Sequence, residues 1–235
     1  MSFDPTTLPD VSGLTVGILG GTGPQGRGLA YRFARAGQKV RIGSRSSERG
    51  AQAAAELAKM PGVVSGLVNG EHVTGGDNAY ACGADVVIVA VPWEGHGELL
   101  SSLAEHLAGK IVVDCVNPLG FDKQGPYVLP VPEGSAAEQA AALLPDSRVC
   151  AAFHHVSAVL LIAPEVAAMD LDVLVLGDDR EAVAVVQALA GRIDGMRGLH
   201  AGRLRNASQV EGMTANLIAI NKRYKAHAGV RITDV

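Results

Sequence analysis

Thr15-Val16-Gly17-Ile18-Leu19-Gly20-Gly21-Thr22-Gly23-Pro24-Gln25-Gly26 sets a short β-branched and apolar run directly before a glycine-rich turn. The run reads as a first parallel strand. Leu29, Phe33 and Ala36 then recur at helical spacing until Gly37, which stands where a C-cap belongs. Residues 21–26 match GxGxxG between a strand and a helix, the context that gives the pattern meaning. Gly21 permits the tight turn, Gly23 lets a pyrophosphate approach the backbone, and Gly26 lets the helix lie close to the sheet. Pro24 falls near the first helical position, where its missing N–H costs little, and Thr22 and Gln25 complete a turn whose free amides can face phosphate.

Outward from this unit, Val40 to Gly43 reads as a second strand. An Ala-rich helix follows from Glu48 to Met60, stopped by Pro61-Gly62, and Val63 to Val68 is the candidate third strand. Asp85 to Val91 is almost entirely apolar, as expected of a strand buried on both faces of a parallel sheet. A helix from Trp93 to Leu107, a strand at Ile111 to Val113, a helix from Ser135 to Leu144 and a strand at Arg148 to Phe153 continue the alternation. Beyond Val156 come a short Ala/Leu segment, a strand near Asp172 to Leu176, a helix from Arg180 to Gly191 and a long helix from Ala207 to His227. The expected fold is therefore α/β: a doubly wound Rossmann-type parallel sheet with a small C-terminal α/β domain. Residues 1–155 form the dinucleotide-binding part, with 1–13 a flexible extension, and residues 156–235 form the smaller domain.

The 235 residues are 48% hydrophobic but only 4% aromatic, which suits helices packed closely on a parallel sheet. No apolar stretch approaches the ~20 residues of a membrane span, and the N-terminus does not read as a secretory signal, so a cytoplasmic protein is expected. Cys82, Cys115 and Cys150 lack any CxxC spacing and read as buried thiols, with neither disulfide framework nor metal site. A net charge of −4 argues against nucleic-acid binding. Seven basic residues nevertheless lie between Arg197 and Arg231, including Arg203, Arg205, Lys222, Arg223 and Lys225, against the single acid Glu211. Such a segment is either a solvated face or a landing site for an anion.

The end of the second strand selects the nucleotide. An NAD site places an Asp or Glu there to bond the ribose 2′-hydroxyl; here Ser44 and Arg45 occupy the place, with Arg49 one helical turn on. A hydroxyl and two guanidiniums accept a 2′-phosphate that a carboxylate would repel, so NADP(H) is the expected ligand.

Other ligands of such sheets sit beyond the carboxyl ends of the strands. Those ends are Val91-Pro92-Trp93-Glu94, Val116-Asn117-Pro118 and His154-His155. The two histidines are adjacent, point to opposite sides of an extended chain, and cannot chelate as an i,i+4 pair does. No GxSxG, P-loop lysine or activated cysteine is present. That absence suits hydride transfer between two cofactors, in which the protein chiefly positions donor and acceptor carbons.

These residues resemble the NADPH-dependent reductases of coenzyme F420, an 8-hydroxy-5-deazaflavin. The likeness is carried by Gly20-Gly21-Thr22-Gly23, Gly43-Ser44-Arg45, Val91-Pro92-Trp93-Glu94, Arg192-Ile193-Asp194-Gly195-Met196 and His200-Ala201-Gly202-Arg203-Leu204. The resemblance implies reversible hydride transfer between nicotinamide C4 and deazaflavin C5, in a cleft between the Rossmann part and the C-terminal domain of a homodimer. It implies that Thr22, Ser44, Arg45 and Arg49 hold the 2′-phosphate region. Pro92, Trp93, Asn117, His154 and Ala158 then line the place where the two rings meet, with His154 in an electrostatic or positioning role. Arg203 and Arg205 are the candidates for the anionic tail of F420. The chain departs from the family at His154-His155-Val156-Ser157, where a His-Thr-Ile-Pro-like run is usual.

Two other readings share the glycine turn. A hydroxy-acid or imine reductase of this architecture typically carries a lysine four residues before a helical Asn, but Asn216 and Asn221 are preceded there by Gly212 and Leu217. An NADPH-sensing module would use the same fold without chemistry.

Overall fold

The computed structural model describes residues 4–63 and 72–235. Strand β1 (Thr15–Leu19) enters helix α1 (Pro24–Arg35) through the glycine turn; β2 (Lys39–Ser44) and α2 (Ser47–Leu57) complete the first βαβ repeat. Then follow β3 (Val73–Asp77), the short α3 (Asn78–Cys82), β4 (Val86–Val89), a 3-10 turn at Trp93–Gly95, α4 (His96–Leu107) and β5 (Ile111–Asp114). A hairpin, β6 (Leu119–Asp122) and β7 (Gly125–Val128), precedes α5 (Ala136–Leu143) and β8 (Arg148–Ala151). The remaining chain forms α6 (Ala158–Ile162), β9 (Leu171–Gly177), α7 (Arg180–Ala190), β10 (Met196–Gly202), a 3-10 turn and α8 (Ala207–Tyr224).

Eight strands lie in the order β10-β9-β8-β5-β4-β1-β2-β3. The six from β3 to β8 are mutually parallel, and the order reverses between β1 and β4, which opens a crevice at their carboxyl ends. β9 pairs antiparallel with β8 and parallel with β10, so the C-terminal βαβ unit extends the same sheet. Val86 to Val89 are wholly buried, as their sequence demands of a central strand. Two apolar cores cover the faces of the sheet. Leu29, Phe33, Ile42, Leu57 and Val186 lie in one, and Leu100, Leu107, Ala140 and Leu144 in the other.

Four features differ from the sequence reading. The proposed strand at Val63 to Val68 falls almost entirely outside the described residues, and the third strand of the described sheet is Val73–Asp77. Its glycines let a helix approach: a Cβ on Gly50 of α2 would stand 2.0 Å from the Gly76 carbonyl oxygen, and one on Gly75 2.0 Å from that of Gly50. β10 was hidden in the same way, because Gly198 interrupts its apolar pattern where α7 crosses; a Cβ there would lie 2.5 Å from Gln187 Cα. The β6–β7 hairpin was also unforeseen. Its turn is held by Asp122 Oδ1, which accepts from the amides of Gln124 (2.7 Å) and Gly125 (3.1 Å). Finally, the end of the N-terminal extension is anchored: Val11 is buried, and Gln38 Nε2 donates to the carbonyls of Val11 and Leu14.

Candidate active site in the crevice

A cavity of about 700 Å³ opens over the glycine turn, lined by Gly20, Thr22, Gly23, Arg45, Arg49, Asn78, Val91, Pro92 and, from α4, Glu98, Leu99 and Ser102. The turn is built as its sequence implies. Gly23 is the N-cap of α1 with no side-chain cap, and Pro24 is the first helical residue, so the first-turn amides are left for an anion. A Cβ on Gly26 would lie 2.7 Å from the Gly20 carbonyl oxygen, and one on Gly21 2.9 Å from the Ile42 side chain. Glycine is therefore required for helix and turn to meet.

Ser44 ends β2 buried, whereas Arg45 and Arg49 project into solvent at the cavity rim. Among the described residues neither guanidinium forms an ion pair. Two free cations beside a glycine cradle suit a phosphate on the adenosine ribose. Asn78, which sequence reasoning missed, is buried behind the turn with Oδ1 facing the Gly20 amide at 3.4 Å.

Trp93, Asn117, His154 and Ala158 do not line this cavity; Asn117 and His154 follow the carboxyl ends of β5 and β8. Asn117 Nδ2 donates to the His154 carbonyl at 3.4 Å, and its Oδ1 accepts from Thr214 Oγ1 at 3.1 Å. Thr214 belongs to α8, 97 residues away, and no sequence motif pointed to it. His154 is buried at the end of β8, and neither ring nitrogen has a hydrogen-bond partner among the described residues. Burial depresses its pKa to about 4, so at neutral pH it is an uncharged imidazole. His155 turns to the Val210 carbonyl of α8 at 2.6 Å. Trp93 tilts over the His96 ring, with centroids 5.5 Å apart. Gln25 does not use its side chain in the turn; its Nε2 reaches the Phe153 carbonyl at 3.3 Å.

Arg203 and Arg205 do not line the cavity over the glycine turn. β10 is the outermost strand and runs opposite to the parallel six; its last residue, Gly202, lies beside Leu176, which pairs with Ala151 at the carboxyl end of β8. Arg203 meets Asp178 at 3.4 Å, both exposed. Arg197 and Arg231 are committed to Asp172, at 2.7 and 3.3 Å, where they pin the C-terminal tail. Just beyond the basic end of α8, His227 Nδ1 lies 3.3 Å from Ser157 Oγ, beside Ala158.

Among the described residues no cluster of His, Cys, Asp or Glu could hold a metal ion, and no helix is long and apolar enough to cross a membrane. The three cysteines are buried, and burial raises the thiol pKa of each, to about 11 for Cys82 and about 12 for Cys150.

Comparison with known proteins matches this geometry to one family. The family described as "NADP oxidoreductase coenzyme F420-dependent" matches residues 15–118. The F420-dependent NADP reductase of Methanothermobacter thermautotrophicus is 39% identical over 228 residues, covering 94% of this chain and 96% of that protein. That of Methanocaldococcus jannaschii is 37% identical over 229 residues, covering 94% and 99%. The chain belongs to the F420-dependent NADP reductase family. A crystal structure of a candidate F420-dependent NADP reductase from Arthrobacter sp. FB24, 30% identical, superposes with a TM-score of 0.74 over 94% of this chain and all of that one.

Behind the family cleft lies a buried charged network. His96, the first residue of α4, directs Nε2 to Asp114 Oδ2 at 2.6 Å and Nδ1 to Gln139 Oε1 at 2.9 Å. Burial works to lower the His96 pKa, but the bond to Asp114 and the carboxylate charge prevail and raise it. An oxygen faces each ring nitrogen, and both contacts favour the protonated form of the ring. Glu211 of α8 crosses to α5, where Oε2 accepts from the Ala136 amide (2.9 Å) and Oε1 from the Ala137 amide (3.1 Å), one turn before Thr214. Burial pushes the Glu211 pKa up to about 7, assisted by the Asp114 charge and opposed by the two amides and His96. Between its ordinary value of 4.5 and about 7, the folded protein holds a proton that the unfolded chain has released. Stability is therefore lost as pH rises through that window, by up to about 1.4 kcal/mol per pH unit from this group. Glu211→Gln is expected to be less stable at low pH, through the lost acceptor, and to lack that component of the slope. Urea unfolding from pH 4.5 to 7.5 measures it; parallel wild-type and variant curves would contradict the assignment.

Proposed function

We infer that this protein transfers a hydride reversibly between NADP(H) and the deazaflavin coenzyme F420. The observation that carries the reading is the junction of two half-sites at the strand ends. A glycine cradle with two arginines that form no ion pair among the described residues is one half, and the Asn117–His154–Thr214 group, whose buried imidazole has no hydrogen-bond partner among those residues, is the other. When both are bound, NADPH supplies a hydride at nicotinamide C4 and F420 accepts it at C5.

The residues of this chain bind and orient. Gly21, Thr22, Gly23, Pro24 and Gly26 shape the pyrophosphate turn, and Arg45 and Arg49 hold the 2′-phosphate. Val91, Pro92 and Trp93 face the nicotinamide end, and Asn117, His154 and Ala158 the deazaflavin. The neutral His154 offers a hydrogen-bonding nitrogen in a dry pocket, where it stabilises electron density without itself changing charge. Residues 1–155 thus form the NADP-binding part, and residues 156–235 close the F420 cleft. Arg203 and Arg205 are the candidates for the anionic tail of F420, joined by Lys222, Arg223 and Lys225 at the C-terminal end of α8.

The protein acts in the cytoplasm as a homodimer. Phe121, Tyr127 and Val128 of the hairpin, and Met213, Ile220 and Tyr224 of the adjacent α8, are exposed apolar side chains suited to a second copy. Sedimentation as a monomer at micromolar concentration would contradict this assembly.

Mixing the protein with NADPH and oxidised F420, and following the visible absorbance of the deazaflavin, tests the function. Decay of that absorbance is expected. NADPH binding without decay would favour a sensor, and oxidation of NADPH only after addition of a keto acid or imine would favour the other reductase class.

A further inference from the structure

Arg32 lies on α1 eight residues after Pro24, about 12 Å along the helix from the phosphate end. Its side chain is 3% exposed and, among the described residues, has no carboxylate partner. The guanidinium instead donates to four backbone carbonyls: Nη2 to Leu160 (2.6 Å) and Ala163 (3.2 Å), Nε to Leu161 (2.8 Å) and Nη1 to Val166 (2.7 Å). Burying a cation in this way is costly, and it persists where strong acceptors surround it. Leu160 and Leu161 lie in the last turn of α6, Ala163 is its C-cap, and Val166 lies just beyond it. A helix of five residues leaves the carbonyls of its last turn without internal partners, and Arg32 gathers them.

Three further residues of α1 grip the same stretch of chain. Gly28, one turn before Arg32, admits α6, since a Cβ there would stand 2.6 Å from Leu161 Cβ. Phe33 packs edge-on against Phe153, with ring centroids 6.0 Å apart. Gln25 donates to the Phe153 carbonyl at 3.3 Å. Phe153 has a φ of 64°, a conformation an aromatic residue adopts only when its surroundings hold it there. The segment is therefore clamped at Phe153 and again at 160–166. Between the clamps run His154 to Ala158, the stretch assigned above to the deazaflavin side.

We propose that Arg32 is a positioning residue for hydride transfer: it fixes the His154–Ala158 stretch to the helix that anchors the pyrophosphate, so that both half-sites are registered to one rigid element. The proposal rests on the reading of the cleft as the meeting place of NADP(H) and F420. Misplacement of reacting groups by about 1 Å costs on the order of 10²-fold in rate. Loss of Arg32 thus damages the F420 half-reaction while the glycine turn, eight residues away, stays intact.

The test compares wild type, Arg32→Met and Arg32→Lys as full-length proteins in three measurements: NADPH affinity by titration of nicotinamide fluorescence, KM and kcat for F420, and amide exchange over residues 154–166. For Arg32→Met we expect NADPH affinity within about twofold of wild type, kcat/KM for F420 lowered by tenfold or more, and faster exchange in that segment. Arg32→Lys should recover part of both losses. A parallel fall in NADPH affinity and F420 turnover would overturn the proposal, as would faster exchange with kinetics unchanged. If Arg32→Met does not fold, Gly28→Ala, which displaces Leu161 from the same helix, must show the same split, and its absence overturns the proposal. Wild-type protein that binds NADPH but does not reduce F420 would defeat the functional reading itself, a result visible before any variant is compared.

Discussion

Replacing Arg45 and Arg49 together by alanine is expected to weaken NADPH binding by roughly 100-fold while leaving NADH binding nearly unchanged. Both guanidiniums stand at the cavity rim without a carboxylate partner among the described residues, so neither has an internal role to lose. A hydrogen bond to a charged group contributes about 1.5–3 kcal/mol. Solvent exposure puts each arginine at the lower end of that range, and two together then give about 3 kcal/mol, near a factor of 10². NADH lacks the phosphate and so lacks this contribution. Titration of the variant with both nucleotides measures the effect. Equal losses for the two, or none for NADPH, would show that the 2′-phosphate sits elsewhere.

The second large effect is on stability. Gly50 lies within α2, where replacement of an exposed glycine by alanine would ordinarily stabilise by about 1 kcal/mol through helix propensity. Here a Cβ would stand 2.0 Å from the Gly76 carbonyl oxygen, and the obstacle is backbone of a paired strand rather than a side chain that can rotate. Gly50→Ala is expected to cost about 3 kcal/mol through overpacking, the upper part of the usual range. That corresponds to a fall in melting temperature of roughly 6–12 °C for a chain of this size. The sign alone discriminates, because a variant melting at or above wild type would mean that α2 and β3 are not in contact.

The same glycines explain which parts of the fold could be read in the sequence. Thr15–Leu19 and Val86–Val89 carry their burial in their apolar side chains, and the glycine turn carries its geometry in residue spacing, so strand, turn and helix were all legible there. β3 and β10 are strands whose glycines exist to admit a crossing helix. Their composition carries no strand pattern, because what orders these segments is a contact with α2 or α7 that no local pattern encodes. The cleft divides similarly. Thr22, Gly23, Arg45, Arg49, Val91 and Pro92 gather in one cavity because all follow strand ends of the parallel sheet. Thr214 and Glu211 reach the site only through the packing of α8 against α5 and the segment after β8, which is a tertiary fact. The charge of Arg203 and Arg205 was visible in the sequence, but the reversed direction of β10, which they follow, was not.

The cleft reading requires that hydride pass directly from one bound cofactor to the other. The most direct measurement uses NADPH carrying deuterium at both C4 positions, with oxidised F420 in ordinary water, and mass or magnetic-resonance analysis of the reduced deazaflavin. The geometry predicts one deuterium at C5. Reduced F420 without deuterium, or no reduction at all in the presence of bound NADPH, would contradict it.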